Sequence, residues 1–207
     1  MTHRPNIACP DVYNKSPLLA DGLSAPVFMQ QGWLEMPEPD FLPAEIRVGW
    51  TPSHLVIRAE ISDRDIFTRA TASNQKMWEL GDVFEIFLKT EERSDYVELH
   101  ITPANLRLHM RFESPGKLAT VLPDGVFSSA VEIDTANQKW TIHAEVPAAL
   151  VSGRNHIEPG ESWLFSFSRY DASRDDRPPI LSSTSPHQVI KFHRIHEWGK
   201  MTFQTQR

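Results

Sequence analysis

What most constrains this chain is a run type that recurs along it: apolar and polar residues alternate for six to ten positions, and a proline, glycine or charged turn then closes the run. A period of two sends successive side chains to opposite faces of a strand, so each run can bury one side while the other stays free. Residues 83–90 show it most clearly. Phe84, Ile86 and Leu88 share one face, and Val83, Glu85 and Phe87 share the other. The same reading places strands at 45–51, 55–61, 96–103, 106–112, 126–134, 139–146, 162–170 and 200–204, with Pro52, Ser53 and His54 turning the first hairpin. A short helix is expected at 147–151, since Pro147 suits a first helical position and Gly153 follows the end. About ten short strands with turn signals between them predict an all-β fold, an antiparallel β-sandwich of the jelly-roll or immunoglobulin-like kind.

The 207 residues suffice for one large domain with a real core, and no composition break divides them. Pro5, Pro10, Pro17, Pro26, Pro37 and Pro39 crowd residues 1–40, which predicts an extended, turn-rich lead-in with an edge strand at 27–31. Residues 41–207 are then expected to form the single sandwich. A net charge of −6 argues against nucleic acid, whose binding needs a basic surface to displace counterions. One cysteine, Cys9, cannot make an internal disulfide and reads as a bystander thiol. No apolar run reaches membrane-spanning length and none opens the sequence as a signal peptide would; the expectation is a soluble chain with no membrane partner, its compartment open and the cytoplasm favoured.

Candidate chemistry gathers around residues 77–112. Trp78 stands at a loop end just before the Gly81-Asp82 turn, and is either a stacking platform or a core aromatic under that loop. Glu85 faces away from the apolar stripe of its strand. It either binds a ligand or pairs with Arg107, Arg111 or His100 on neighbouring strands, because an unpaired buried carboxylate is costly. Strand 96–103 sets Glu98, His100 and Thr102 against Val97, Leu99 and Ile101; strand 106–112 sets Arg107, His109 and Arg111 against Leu106, Leu108, Met110 and Phe112. Glu85 and Glu98 on adjacent strands invite a glycosidase reading, in which two carboxyl groups stand about 5–9 Å apart across the scissile bond. His143, His187, His193 and His196 have no HExxH or CxxC company and read as surface or supporting groups.

The segment Trp78-Glu79-Leu80-Gly81-Asp82-Val83-Phe84-Glu85-Ile86-Phe87 follows Ile61-Ser62-Asp63 and precedes the charged-face strand at Glu98 to Thr102. In this it resembles the family-9 carbohydrate-binding module, a DOMON-like β-sandwich. Ile180-Leu181-Ser182-Ser183, and Phe192 seven residues before Gly199 with Lys200 and Met201, are similar to that family's closing segment. The resemblance covers roughly residue 45 to the end. It implies a sugar held between two aromatic rings, with Trp78 as the first ring and Glu85 accepting hydrogen bonds from hydroxyls. Phe192 stands where the family has a second tryptophan, His100 stands where it has an arginine, and no asparagine lies near Val189 and Ile190. A smaller ring and a lost guanidinium fork imply a changed sugar preference. Structural calcium also follows from the resemblance, with Asp63 and Asp65 as the candidates.

The expected function is therefore non-catalytic binding of a mono- or oligosaccharide, in the setting of carbohydrate catabolism. Trp78 and Phe192 would supply apolar surface, and Glu85, Glu98 and His100 hydrogen bonds. One alternative is a glycoside hydrolase, or an accessory part of one, working with the glutamate pair. Another is a b-type haem domain with Met77, Met110 or His100 as axial ligand, although no CxxCH motif is present. A purely structural or interaction sandwich is the third.

Overall fold

Alternation in the sequence becomes two layers in the protein. The computed structural model describes residues 3–13, 22–175 and 177–205. In chain order the strands are β1 (Asn6–Pro10), β2 (Val27–Phe28), β3 (Ala44–Trp50), β4 (His54–Ser62), β5 (Val83–Thr90), β6 (Tyr96–Ile101) and β7 (Arg107–Phe112). Next come β8 (Thr120–Val121), β9 (Ser128–Asp134), β10 (Lys139–Pro147), β11 (Ser162–Asp171), β12 (Ile180–Ser183) and β13 (Gly199–Gln204). Among the described residues a single α-helix, α1 (Ala148–Ser152), follows β10 and ends on Gly153 in the left-handed conformation, as the Pro…Gly spacing predicted. Short 3-10 turns occupy Met77–Glu79 and Ile195–Glu197.

One sheet runs β1-β13-β11-β5-β6-β7-β8, with β12 paired to the far end of β11; the other runs β2-β3-β4-β10-β9. Pairing is antiparallel except between β1 and β13, which run parallel. The two sheets enclose the main core. From the larger sheet come Phe84, Ile86, Leu88, Val97, Leu99, Ile101, Phe165 and Phe167; from the smaller come Ile46, Val48, Ile57, Ile61, Trp140 and Ile142. This is a β-sandwich whose inner stripes are the apolar faces read from the alternation. Pro17 lies outside the described residues. Within the lead-in, Ile7 and Cys9 of β1 insert into this core, and only Val27–Phe28 of the expected edge strand 27–31 is paired with β3; Gln30 instead bridges Ser183.

The larger sheet has a second packed surface, and this one positions the site. On its outer face Val83 joins Met77, Leu108 and Met110, while Phe87 joins Tyr96, Phe192 and Trp198. Register explains an orientation that alternation alone left open. Met110 pairs with Glu98 and Leu108 with His100. Directly opposed residues share a face, so the apolar side of β7 lies beside the ionisable side of β6. Arg107 and Arg111 consequently point the other way. Arg107 donates to the carbonyl of Phe127, and Arg111 pairs with Asp95 and the carbonyl of Leu150. Neither reaches Glu85, and of the three partners considered for it only His100 does.

Candidate functional site

Glu85 and His100 are a directly opposed pair across β5 and β6, and Glu98 lies two residues from His100 on the same face. Geometry follows from that placement. His100 Nε2 lies 2.7 Å from Glu98 Oε1 and 3.3 Å from Glu85 Oε1. All three are buried, with Glu85 and Glu98 exposed by 3% and 5% and His100 not at all. The second carboxylate oxygens, Glu85 Oε2 and Glu98 Oε2, have no hydrogen-bond partner, and neither does His100 Nδ1. Burial pushes the Glu85 carboxyl up to about 8, opposed by His100 and reinforced by Glu98. Burial works to lower His100, but the two carboxylates outweigh it and hold the imidazole above its ordinary range. Glu85 therefore holds a proton near neutral pH, shared within a tight three-residue group.

Above this group a cavity of about 390 Å³ opens to solvent. Trp78, Glu85, Phe87, Glu98, Phe192 and His193 line it, together with Met110, Phe112 and Tyr170. Trp78 is half-buried on the 3-10 turn before β5, its ring edge-on to His100 at 5.5 Å between centroids. Phe192 approaches from the other side on the segment between β12 and β13, 6% exposed, at 6.4 Å from Phe87 and 6.2 Å from Tyr170. The Phe192 ring packs into the outer aromatic cluster and also presents surface to the cavity. Of the five residues named from the sequence, Trp78, Glu85, Glu98 and Phe192 line one cavity; His100 lies beneath, joined to both glutamates.

Several lining residues have no sugar-binding role that the sequence announces. Phe87 was placed on the correct face without a role, and pairing β5 with β6 would have set it opposite Glu98. Tyr170, Phe112 and Met110 reach the cavity through strand order, which periodicity does not contain. The segment carrying Phe192 is set by contacts distant in sequence. Trp198 Nε1 donates to the carbonyl of Phe192 at 2.7 Å, and Tyr96 Oη meets His193 Nδ1 at 2.8 Å. Glu197 accepts from Arg194 at 2.7 and 2.8 Å and pairs with His187 Nδ1 at 2.8 Å, closing the segment at its base. Ile190 is exposed at the rim.

Other sequence expectations fare differently. His100 Nε2 fills the space between Glu85 and Glu98, so the carboxylates stand beside one imidazole rather than across a bond to be cleaved. Met77 is fully buried and His100 Nε2 is turned to the carboxylates, which leaves Met110 as the one of the three haem-ligand candidates facing the cavity. Asp63 and Asp65, the calcium candidates, part company. Asp65 binds Arg174 at 2.6 Å, whereas Asp63 converges with Asp82 and Asp171. The Arg169 guanidinium lodges against that group, 3.0 Å from Asp63 and 3.1 Å from Asp171, and both Asp82 oxygens accept backbone N–H groups of Phe67 and Ala172. These donors are engaged by a guanidinium and by backbone. Among the described residues no helix is long and apolar enough to cross a membrane.

No protein-family model matches the chain, and no curated protein matches it. Solved structures do. A candidate carbohydrate-binding protein from Bacteroides uniformis ATCC 8492 superposes with a TM-score of 0.76 at 14% identity, over 97% of this chain and 99% of that one. A family-9 carbohydrate-binding module from Caldicellulosiruptor kristjanssonii in complex with cellotriose gives 0.67 at 12% identity, over 98% and 95% of the two chains. A module of the same family and organism in complex with glucose gives 0.64 at 12% identity, over 99% and 97%. The chain has the fold of the family-9 modules, end to end.

Proposed function

We propose that the protein is a carbohydrate-binding module, taking one or two sugar units of a mono- or oligosaccharide into the cavity between Trp78 and Phe192. One observation carries the reading. A half-buried indole and a second ring flank a cavity of about 390 Å³ whose floor holds two carboxylates with unpartnered oxygens. Sugars present apolar C–H faces and an array of hydroxyl donors, so rings and acceptors side by side are the chemistry that suits them. Fold likeness to modules complexed with cellotriose and glucose supports the same ligand class.

In this reading Trp78 gives the stacking surface and Phe192 a smaller one opposite. Glu98 Oε2 accepts a hydroxyl hydrogen, and the Glu85 carboxyl, protonated by burial, can donate as well as accept. Each ring contact is worth about 1 kcal/mol, which places dissociation constants in the micromolar range or weaker. His100 holds the two glutamates in place rather than forking onto paired hydroxyls as an arginine would. A glycan array, followed by titration of the hits with tryptophan fluorescence as the readout, tests the assignment. The expected result is saturable change with at least one mono- or oligosaccharide. Absence of any sugar response, or turnover of chromogenic glycosides that Glu85→Gln abolishes, would overturn it.

A further inference from the structure

We propose that Glu85, Glu98 and His100 form a binding site for a divalent transition-metal ion of the zinc, cobalt or manganese kind, at the floor of the cavity. The inference goes beyond the sugar reading, and its test contains no sugar.

Donor identity comes first. One imidazole nitrogen and two carboxylate oxygens make a mixed N/O set that suits borderline first-row ions better than calcium, which prefers oxygen throughout. Spacing comes second. Donors about 2.1 Å from a shared metal stand roughly 3.0 Å apart at octahedral angles and roughly 3.4 Å apart at tetrahedral ones. His100 Nε2 lies 2.7 and 3.3 Å from the two glutamate oxygens, and one donor atom from each of the three residues falls within 4.8 Å of the others.

Two further observations point to a missing cation. Glu85 Oε2 and Glu98 Oε2 belong to side chains more than nine-tenths buried, yet neither has a hydrogen-bond partner; His193 Nε2 stands 3.6 Å from Glu98 Oε2, beyond hydrogen-bond distance. Two carboxyl groups also converge on a single imidazole in one apolar site, an acceptor-rich set whose other facing basic groups are His193 and, exposed at the rim, Lys191. The two glutamates border the cavity. Three protein donors below and a cavity above leave coordination positions for water or for ligand oxygens, the arrangement of a metal meant to be reached.

His100 Nδ1 has no second partner to fix its tautomer, a support whose loss typically costs 10–100-fold in metal affinity. Micromolar rather than nanomolar binding follows.

The experiment uses the full chain, stripped with chelator and dialysed metal-free. Zn²⁺ and Mn²⁺ are titrated by calorimetry, Co²⁺ by its visible d–d absorption, and Ca²⁺ serves as comparison. One site per chain with micromolar affinity for Zn²⁺ is expected, along with cobalt bands that report nitrogen and oxygen ligation. Glu98→Gln and Glu85→Gln should each weaken binding at least tenfold, while Asp171→Asn, in the other carboxylate cluster, should leave it unchanged. Thermal unfolding of the metal-free variants separates lost ligation from lost fold. The proposal is overturned by absence of stoichiometric binding, by preference for Ca²⁺ over Zn²⁺, by insensitivity to both glutamate variants, or by loss of the site in Asp171→Asn alone.

Discussion

Trp78 and Phe192 face one cavity yet stand on unequal footing. Trp78 is half-exposed on a 3-10 turn, whereas Phe192 is packed against Phe87, Trp33 and His187. Truncating each should therefore separate binding from stability. Trp78→Ala is expected to weaken sugar binding at least tenfold while the thermal midpoint moves by only a few degrees. Phe192→Ala should lose binding and also about 3 kcal/mol of stability, because it leaves a cavity in the outer cluster. Fluorescence titration and urea unfolding of the two variants check this, and equal stability losses would contradict it. At this scale the sequence was most informative where a side chain's surroundings are local. Trp78, Glu85 and Glu98 could be placed from spacing beside a turn and along strands. Whether Glu85 meets His100 or an arginine depended on register, which one strand does not carry.

Two elements hold the rings in position. The first is the turn before β5, where Gly81 adopts φ of +145° and a Cβ would lie 2.7 Å from both the Phe67 carbonyl oxygen and Thr68 Cα. Neither is a flexible side-chain end, and the conformation itself disfavours a side chain. Gly81→Ala should cost about 2 kcal/mol or more and lower the thermal midpoint by about 5 °C, measured by calorimetry. The second is the segment between β12 and β13, tied by Glu197 to Arg194 and His187. The Arg194 guanidinium, aided by His187 and against the effect of burial, lowers the Glu197 carboxyl to about 2. A group with a depressed native pKa contributes stability above its unfolded value and loses it as pH falls through the native one. That contribution is thus complete above about 4.5 and disappears toward pH 2. Thermal midpoints between pH 5 and 2.5 should fall less steeply in Glu197→Gln than in the natural chain. The strands were legible because their period is two. This segment was not, since its shape comes from Trp198, Tyr96 and Glu197 reaching it from elsewhere.

Across the whole molecule, the division of labour is between two faces of one sheet. The inner face joins the smaller sheet in an apolar core, and the outer face carries its own aromatic cluster around the cavity. The number and kind of layers follow from strand patterning, and the likeness to solved family-9 modules agrees with that reading. The outer cluster did not follow, because β5 is apolar on both faces and the one apolar face of β7 reads the same whichever side is covered. The proline-rich beginning also proved harder to read: β1 lies parallel along β13, a pairing between ends that no local signal announces.

That parallel border strand turns the chain's solitary thiol into a built-in reporter. Cys9 is completely enclosed, and burial pushes its ionisation well above the ordinary range, so disulfide reagents should meet an inert group while β1 stays docked. Labelling by a chromogenic disulfide, followed by stopped-flow or mass spectrometry, would then clock how often the border strand peels away. A rate well above that of global unfolding would mark β1 as the first seam to open.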